Sequence, residues 1–224
     1  MDATKPQGQV NEQAEQAAAL KKEKTIKVVK FASIAVVAIV VIVLAYIYAV
    51  RNPAIDSANE AIAQADLALV NSGEDSVKMA EVFKLYEEVS NNHGQAAGNR
   101  AKLMTAIGYY QKGEYQKCID FIDGYSNTGS AIDAGAYSLK GDSYVNLKKY
   151  DEALGCYNDA LSAADENPFL APFIMAKQAR IYNEKKDYAK ELEIYEAIKK
   201  DYAQTIQFDV EKCINRAKTL MEKK

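Results

Sequence analysis

The sequence contains no tryptophan, one histidine, four prolines and three cysteines. The lone histidine, His93, sits in the polar, turn-like stretch SNNHG, and a loop histidine on a polar surface reads as inert rather than catalytic. Cys118, Cys156 and Cys213 are far apart with no CxxC among them, so neither a zinc site nor a thioredoxin-like motif is supported. An odd cysteine count fits a disulfide framework poorly. The three read as small buried residues, with a Cys118–Cys156 bridge left open should the domain face an oxidising space. The sequence has no GxSxG, HExxH, P-loop or GxGxxG pattern. Glu87/Glu88 and Asp165/Glu166 are sequence neighbours, which point apart on a helix and read as solvated surface. The expectation is therefore a protein that is not an enzyme and holds no cofactor or metal. Scarce proline with abundant Leu, Ala, Tyr and Lys predicts helices.

What is present is a charge asymmetry and a long apolar run. Residues 1–51 carry seven Lys or Arg against four Asp or Glu, whereas residues 52–224 carry 21 against 27. An acidic main domain argues against nucleic acid, whose phosphates need clustered cations. Phe31 to Val50 is 20 residues without a charge, FASIAVVAIVVIVLAYIYAV. At ~1.5 Å per residue this reaches roughly 30 Å, the thickness of a bilayer's hydrocarbon core. A helix apolar on every face suits lipid, and Tyr46 and Tyr48 stand near its end, where aromatic rings prefer the interface. Lys21, Lys22, Lys24, Lys27 and Lys30 precede the run, and Arg51 alone follows closely. The positive-inside rule then predicts a cytoplasmic N-terminus and an external C-terminal domain. A cleaved signal peptide is the competing reading, but the run is long for one and YIYAV is a poor cleavage site. Residues 1–30 are expected to be a polar and basic tail, loose over its first 20 residues although nothing prevents residues 14–27 from extending helically from the membrane, with residues 31–50 the anchor and 51–224 the outer domain.

The outer domain repeats itself. Gly108–Ile122, Asp142–Tyr157 and Arg180–Tyr195 align so that Tyr109, Tyr144 and Tyr182 fall in register, as do Tyr115, Tyr150 and Tyr188. Each pair brackets a short polar turn (QKGE, NLKK, NEKKD), and a small residue precedes the first tyrosine by three: Ala106, Gly141, Ala179. Small residues let paired helices approach, and the tyrosines are expected to fill the space between hairpins, each buried ring contributing roughly 1.5–3 kcal/mol. This pattern resembles the tetratricopeptide repeat, a helix–turn–helix unit of about 34 residues. The middle unit fits best. The first departs by Cys118 and the third by Glu191, both at small-residue positions, so the third is expected to pack less well or to end the stack.

Apolar residues at Ile55, Ala58, Ile62, Ala65 and Leu69 predict an amphipathic helix after Pro53, and Met79, Val82, Phe83, Tyr86 and Val89 predict its partner. Ile206, Val210, Ile214, Ala217 and Leu220 form the stripe of a solvating cap. The fold class expected is all-α: a single N-terminal transmembrane helix followed by a tetratricopeptide-repeat-like α-solenoid with a C-terminal capping helix. The expected hairpins are about 54–92, 95–126, 131–164 and 168–202, with a cap at 206–223.

By resemblance to the repeat family, the first helix of each pair lines the groove that receives peptide, and Arg100, Tyr110, Asp142, Asn146, Arg180, Asn183 and Glu184 would face it. Their mixed signs differ from the Lys/Asn clamp that holds a terminal carboxylate. The full layout resembles the YfgM-like family, most closely over LYEEVSNNHGQAAGNRAKLMTAIGYYQKGEY (Leu85–Tyr115). That resemblance implies a single-pass protein of the bacterial inner membrane with a periplasmic repeat domain. It implies a protein- or peptide-binding scaffold beside the Sec translocon and periplasmic chaperones. The rival functions are a structural, self-associating subunit of a cell-envelope complex and an outer-membrane assembly protein. The latter would need a lipid-modified Cys just after the apolar run, where none stands.

Overall fold

A computed structural model describes residues 7–94, 96–165 and 167–223. Every regular element among them is helical, and the chain divides into two compact units, residues 1–56 and 57–224.

The first unit is dominated by α1 (Gln7–Tyr46), followed by a π-helical turn, Ile47–Arg51. The segment expected to be loose is helical from Gln7 onward; residues 1–6 lie outside the described residues. Its Gln, Ala, Glu and Lys are good helix formers and need only extend a helix already nucleated by the apolar run. The apolar side chains from Phe31 to Val50 stand in the open: Phe31, Ile34, Val37 and Ile42 are each at least 60% exposed. The polar group within the run is served locally, since the Ser33 hydroxyl donates to the Val29 and Lys30 carbonyls at 3.0 and 2.9 Å. By length and composition this is the one helix among the described residues able to cross a membrane. The π turn precedes Pro53, whose ring nitrogen has no hydrogen to donate. The Asn52 N–H bonds back to the Ile47 carbonyl, and α2 starts at Asn52 rather than after the proline.

The second unit, from Ser57 in α2, contains helix pairs α2/α3 (Asn52–Ser72, Ser76–Asn92), α4/α5 (Ala96–Gln111, Tyr115–Asp123), α6/α7 (Ala131–Asn146, Tyr150–Ala164) and α8/α9 (Ala171–Glu184, Tyr188–Tyr202). A final helix, α10 (Val210–Glu222), packs on α9. The last three turns are built alike. Gly113, Lys148 and Lys186 are left-handed at φ 77°, 58° and 57°. In each, the next N–H reaches the carbonyl of the in-register tyrosine: Glu114 to Tyr109 at 2.9 Å, Lys149 to Tyr144 at 2.9 Å, Asp187 to Tyr182 at 2.8 Å. This is the bond pattern of a Schellman cap, which satisfies the last carbonyls of each first helix. Starts are capped by side chains. Asp75, Asp187 and Asp209 accept from the first turns of α3, α9 and α10, and Ser130 with Asp133 forms a capping box on α6. The Asp209 cap begins the last helix at Val210, four residues later than its apolar stripe suggested.

Packing confirms the close approach expected at the small residues. Ala106 and Ala179 are fully buried, and a Cβ on Gly141 would lie 2.5 Å from Cε1 of the Tyr157 ring. The tyrosines divide differently from expectation. Those flanking the turns are only half-buried. The fully buried rings are Tyr86, Tyr157 and Tyr195, each well inside the second helix of its pair. The turn-flanking rings lie at the hairpin ends, where neighbouring helices cover one side. Tyr109 shows how: it stacks on Phe121 at 5.4 Å, donates to Glu87 at 2.8 Å, and carries Lys117 over its ring at 4.9 Å.

Glu191 does not loosen the third unit. It is fully buried, accepts from Asn183 at 2.8 Å, and is ion-paired with Arg216 of α10, so it bolts the terminal helix to the pair before it. All three cysteines are free, and burial pushes the Cys118 and Cys156 thiols up, away from reactive thiolate.

Candidate functional site

Three clefts open along the face built by α4, α6, α8 and α10, and they share residues. The first, about 450 Å³, lies between α4 and α6, with Leu103, Ile107, Ile132 and Leu139 as apolar walls and Asp142 and Lys177 at its end. The second, also about 450 Å³, takes Tyr110, Val145, Tyr150 and Ile181, with Asp142, Lys177, Arg180 and Glu184 supplying charge. The third, about 340 Å³, lies between α8 and α10 and is lined by Phe173, Tyr195, Phe208, Arg180 and Lys212. Lys177 borders all three.

The centre is a fixed polar node. The Lys177 ammonium donates to Asp142 at 2.6 Å and to the Ser138 hydroxyl at 2.8 Å, and the buried Tyr157 hydroxyl donates to the other Asp142 oxygen at 2.6 Å. Burial and the Asp142 carboxylate together push the Tyr157 phenol well above its ordinary value, so it remains a donor. A similar node stands two units earlier: Asp66 accepts from Tyr86 at 2.6 Å and from Arg100 at 2.8 Å. In both, an aspartate on one first helix is bound by a tyrosine of its partner and a cation of the next first helix. These nodes set the spacing of consecutive pairs, which in turn sets the cleft walls.

Of the seven residues predicted to face a groove, Tyr110, Asp142, Arg180 and Glu184 line the second cleft together. Asn146 stands at its edge, donating to the Tyr110 hydroxyl at 3.4 Å. Arg100 lies elsewhere, held bidentate by Asp66 at 2.8 Å on each side. Asn183 is occupied by the buried Glu191. Arg180 and Glu184 are exposed and form no ion pair among the described residues, so their charges face outward unspent. Sequence reasoning missed Lys177, although a signal existed: it follows Asp142 by one repeat length, as Arg100 follows Asp66. It also missed Phe173 and Phe208, whose rings sit 5.9 Å apart, because isolated phenylalanines read as core. Among the described residues no group of His, Cys, Asp and Glu is arranged to hold a metal.

Solved structures share the architecture. The chain is similar to two crystal structures of the nearly identical TPR-like repeats of a kinesin-light-chain candidate from Podosopora anserina. The TM-scores are 0.58 and 0.57 at 12% identity, covering 72% of this chain and 86% and 87% of those chains. No protein-family model and no curated protein matches the sequence. What the solved structures share with this chain is the fold: a run of TPR-like antiparallel helix pairs.

Proposed function

We propose that the chain is a membrane-anchored repeat scaffold that binds proteins or peptides along the face of α4, α6, α8 and α10. The observation that carries this reading is the confluence of three clefts at Lys177 on the first helices of successive pairs. Apolar walls would take side chains, while Arg180 and Glu184 offer charges that form no ion pair among the described residues. Residues 31–50 form the anchor. The five lysines before the run set the N-terminus in the cytoplasm, with the repeats on the far side. On the YfgM-like resemblance, the setting is the periplasmic face of a bacterial inner membrane, and the partners are the Sec translocon and periplasmic chaperones. Repeat stacks act by presenting a long surface rather than a catalytic pocket, which suits a chain whose polar groups are engaged in spacing helices.

A photo-crosslinking amino acid at Ile132 or Glu184, both exposed at the clefts, is expected to form protein adducts in intact membranes. The same probe at Glu193 or Asp159, exposed on second helices, is expected to form few. Adducts from the second helices alone would overturn the reading. A self-associating envelope subunit draws support from Leu67, Val70 and Val77, apolar and 62%, 78% and 69% exposed. Light scattering on residues 52–224 separates the two, since a monomer disfavours self-association.

A further inference from the structure

The third cleft differs from the rest of the domain in charge. The domain as a whole is acidic, yet three of the four charged residues lining this cleft are cations: Lys177, Arg180 and Lys212 against Asp209. The Asp209 carboxylate is engaged in capping α10, accepting from the Lys212 N–H at 2.9 Å. Lys177 is held by Asp142. Arg180 and Lys212 remain, both exposed and neither ion-paired among the described residues. They stand on α8 and α10 across an aromatic floor of Phe173, Phe208 and the fully buried Tyr195. Phe173 is 40% exposed, with its ring 5.9 Å from Phe208. Two exposed cations lining one apolar cleft make it attractive to an anion, while the aromatic floor gains from covering.

Resting on the binding reading above, we propose that this cleft takes an internal acidic segment of a partner protein. One large apolar side chain of that segment would seat on Phe173 and Phe208, and flanking Asp or Glu side chains would pair with Arg180 and Lys212. The guanidinium supplies a bidentate grip on one carboxylate, and the lysine a point charge for the other. The cap helix thereby becomes half of a binding site, and Glu191 of α9, which pairs with Arg216 of α10, positions it.

The test uses the full chain in nanodiscs and a fluorescent peptide, acetyl-Gly-Ser-Asp-Glu-Phe-Glu-Asp-Ser-Gly-amide, followed by anisotropy. Its Asn/Gln counterpart keeps the phenylalanine and loses the charge; its Gly counterpart keeps the charge and loses the ring. The acidic aromatic peptide is expected to bind at least tenfold more tightly than either, with affinity falling as salt rises. Arg180→Glu with Lys212→Glu is expected to remove that preference while leaving the melting temperature in place, because both residues are exposed and neither is ion-paired among the described residues. Phe208→Leu serves as a second, milder variant that should weaken the acidic peptide several-fold. Equal binding of acidic and neutral peptides, or binding untouched by the double reversal, overturns this proposal. It would leave the broader reading standing if the Ile132 and Glu184 crosslinks still form. Failure of every peptide together with absence of those crosslinks overturns both.

Discussion

At position 141 even one added carbon is too many, because the Tyr157 ring already occupies the space a Cβ would need. Position 155, on the next helix, is open, with nothing within 4 Å of a Cβ there. Gly141→Leu is therefore expected to lower stability by about 1–3 kcal/mol through overpacking, whereas Gly155→Ala should raise it by about 0.5–1 kcal/mol by removing backbone freedom from a helix interior. Thermal melts of both variants decide the matter, and equal melting temperatures would refute the placement of α6 against α7. Asp133 offers a pH test. Burial works against its carboxylate, but bonds from Tyr125, Thr128 and Gly129 overcome this and hold its pKa below the usual value. A depressed folded pKa gives stability that is present above the unfolded value, about 3.9, and lost as pH falls through the folded one. Asp133→Asn should thus cost about 0.5–2 kcal/mol at pH 7. The gap to the parent should narrow as acid protonates Asp133. A gap constant down to pH 2 would show that the capping charge contributes nothing.

Among the elements, the hairpins were legible because their marks come three times. Three tyrosines at one register, each followed four residues later by a left-handed residue, reveal a turn that any single copy would hide. The cap helix was half legible. Its stripe of Val210, Ile214 and Ala217 predicted a covered face, and all three are buried. Its fastening was misread, because a glutamate at a small-residue position looks like poor packing until its partner, 25 residues on, is known. A charge pair that occurs once leaves no periodic trace in one sequence, whereas Lys177 does leave one, a repeat length from Asp142 as Arg100 is from Asp66. The Glu191–Arg216 pair predicts a characteristic cycle. Arg216→Met leaves a buried carboxylate supported, among the described residues, by Asn183 alone, and should cost about 3–5 kcal/mol. Adding Glu191→Met should restore most of that loss, since a buried ion pair contributes little beyond an apolar pair of similar volume. Denaturant titration of the three variants measures it, and additive losses would contradict the account of the cap.

For the whole molecule, the apolar run and its flanking lysines were readable by length and charge, properties that need no tertiary contact. The cleft face was readable only in part: Tyr110, Asp142, Arg180 and Glu184 come together, while Arg100 and Asn183 are held by partners on other helices. Which surface residues a neighbouring helix claims is decided by the packing of whole pairs, not by register along one. The proposed anchored topology predicts that external protease cuts residues 52–224 of intact spheroplasts and spares an epitope at the N-terminus. Loss of that epitope would reverse the orientation. The central claim, that the first-helix face holds partners, is tested most directly by native electrophoresis of membranes bearing paired variants. Ile132→Glu with Arg180→Glu alters exposed cleft residues; Asp159→Lys with Glu193→Lys alters exposed residues of second helices. The account predicts that the chain migrates in a larger assembly which the first pair dissolves and the second leaves intact. An assembly that survives the cleft variant and is lost with the second-helix variant would contradict it.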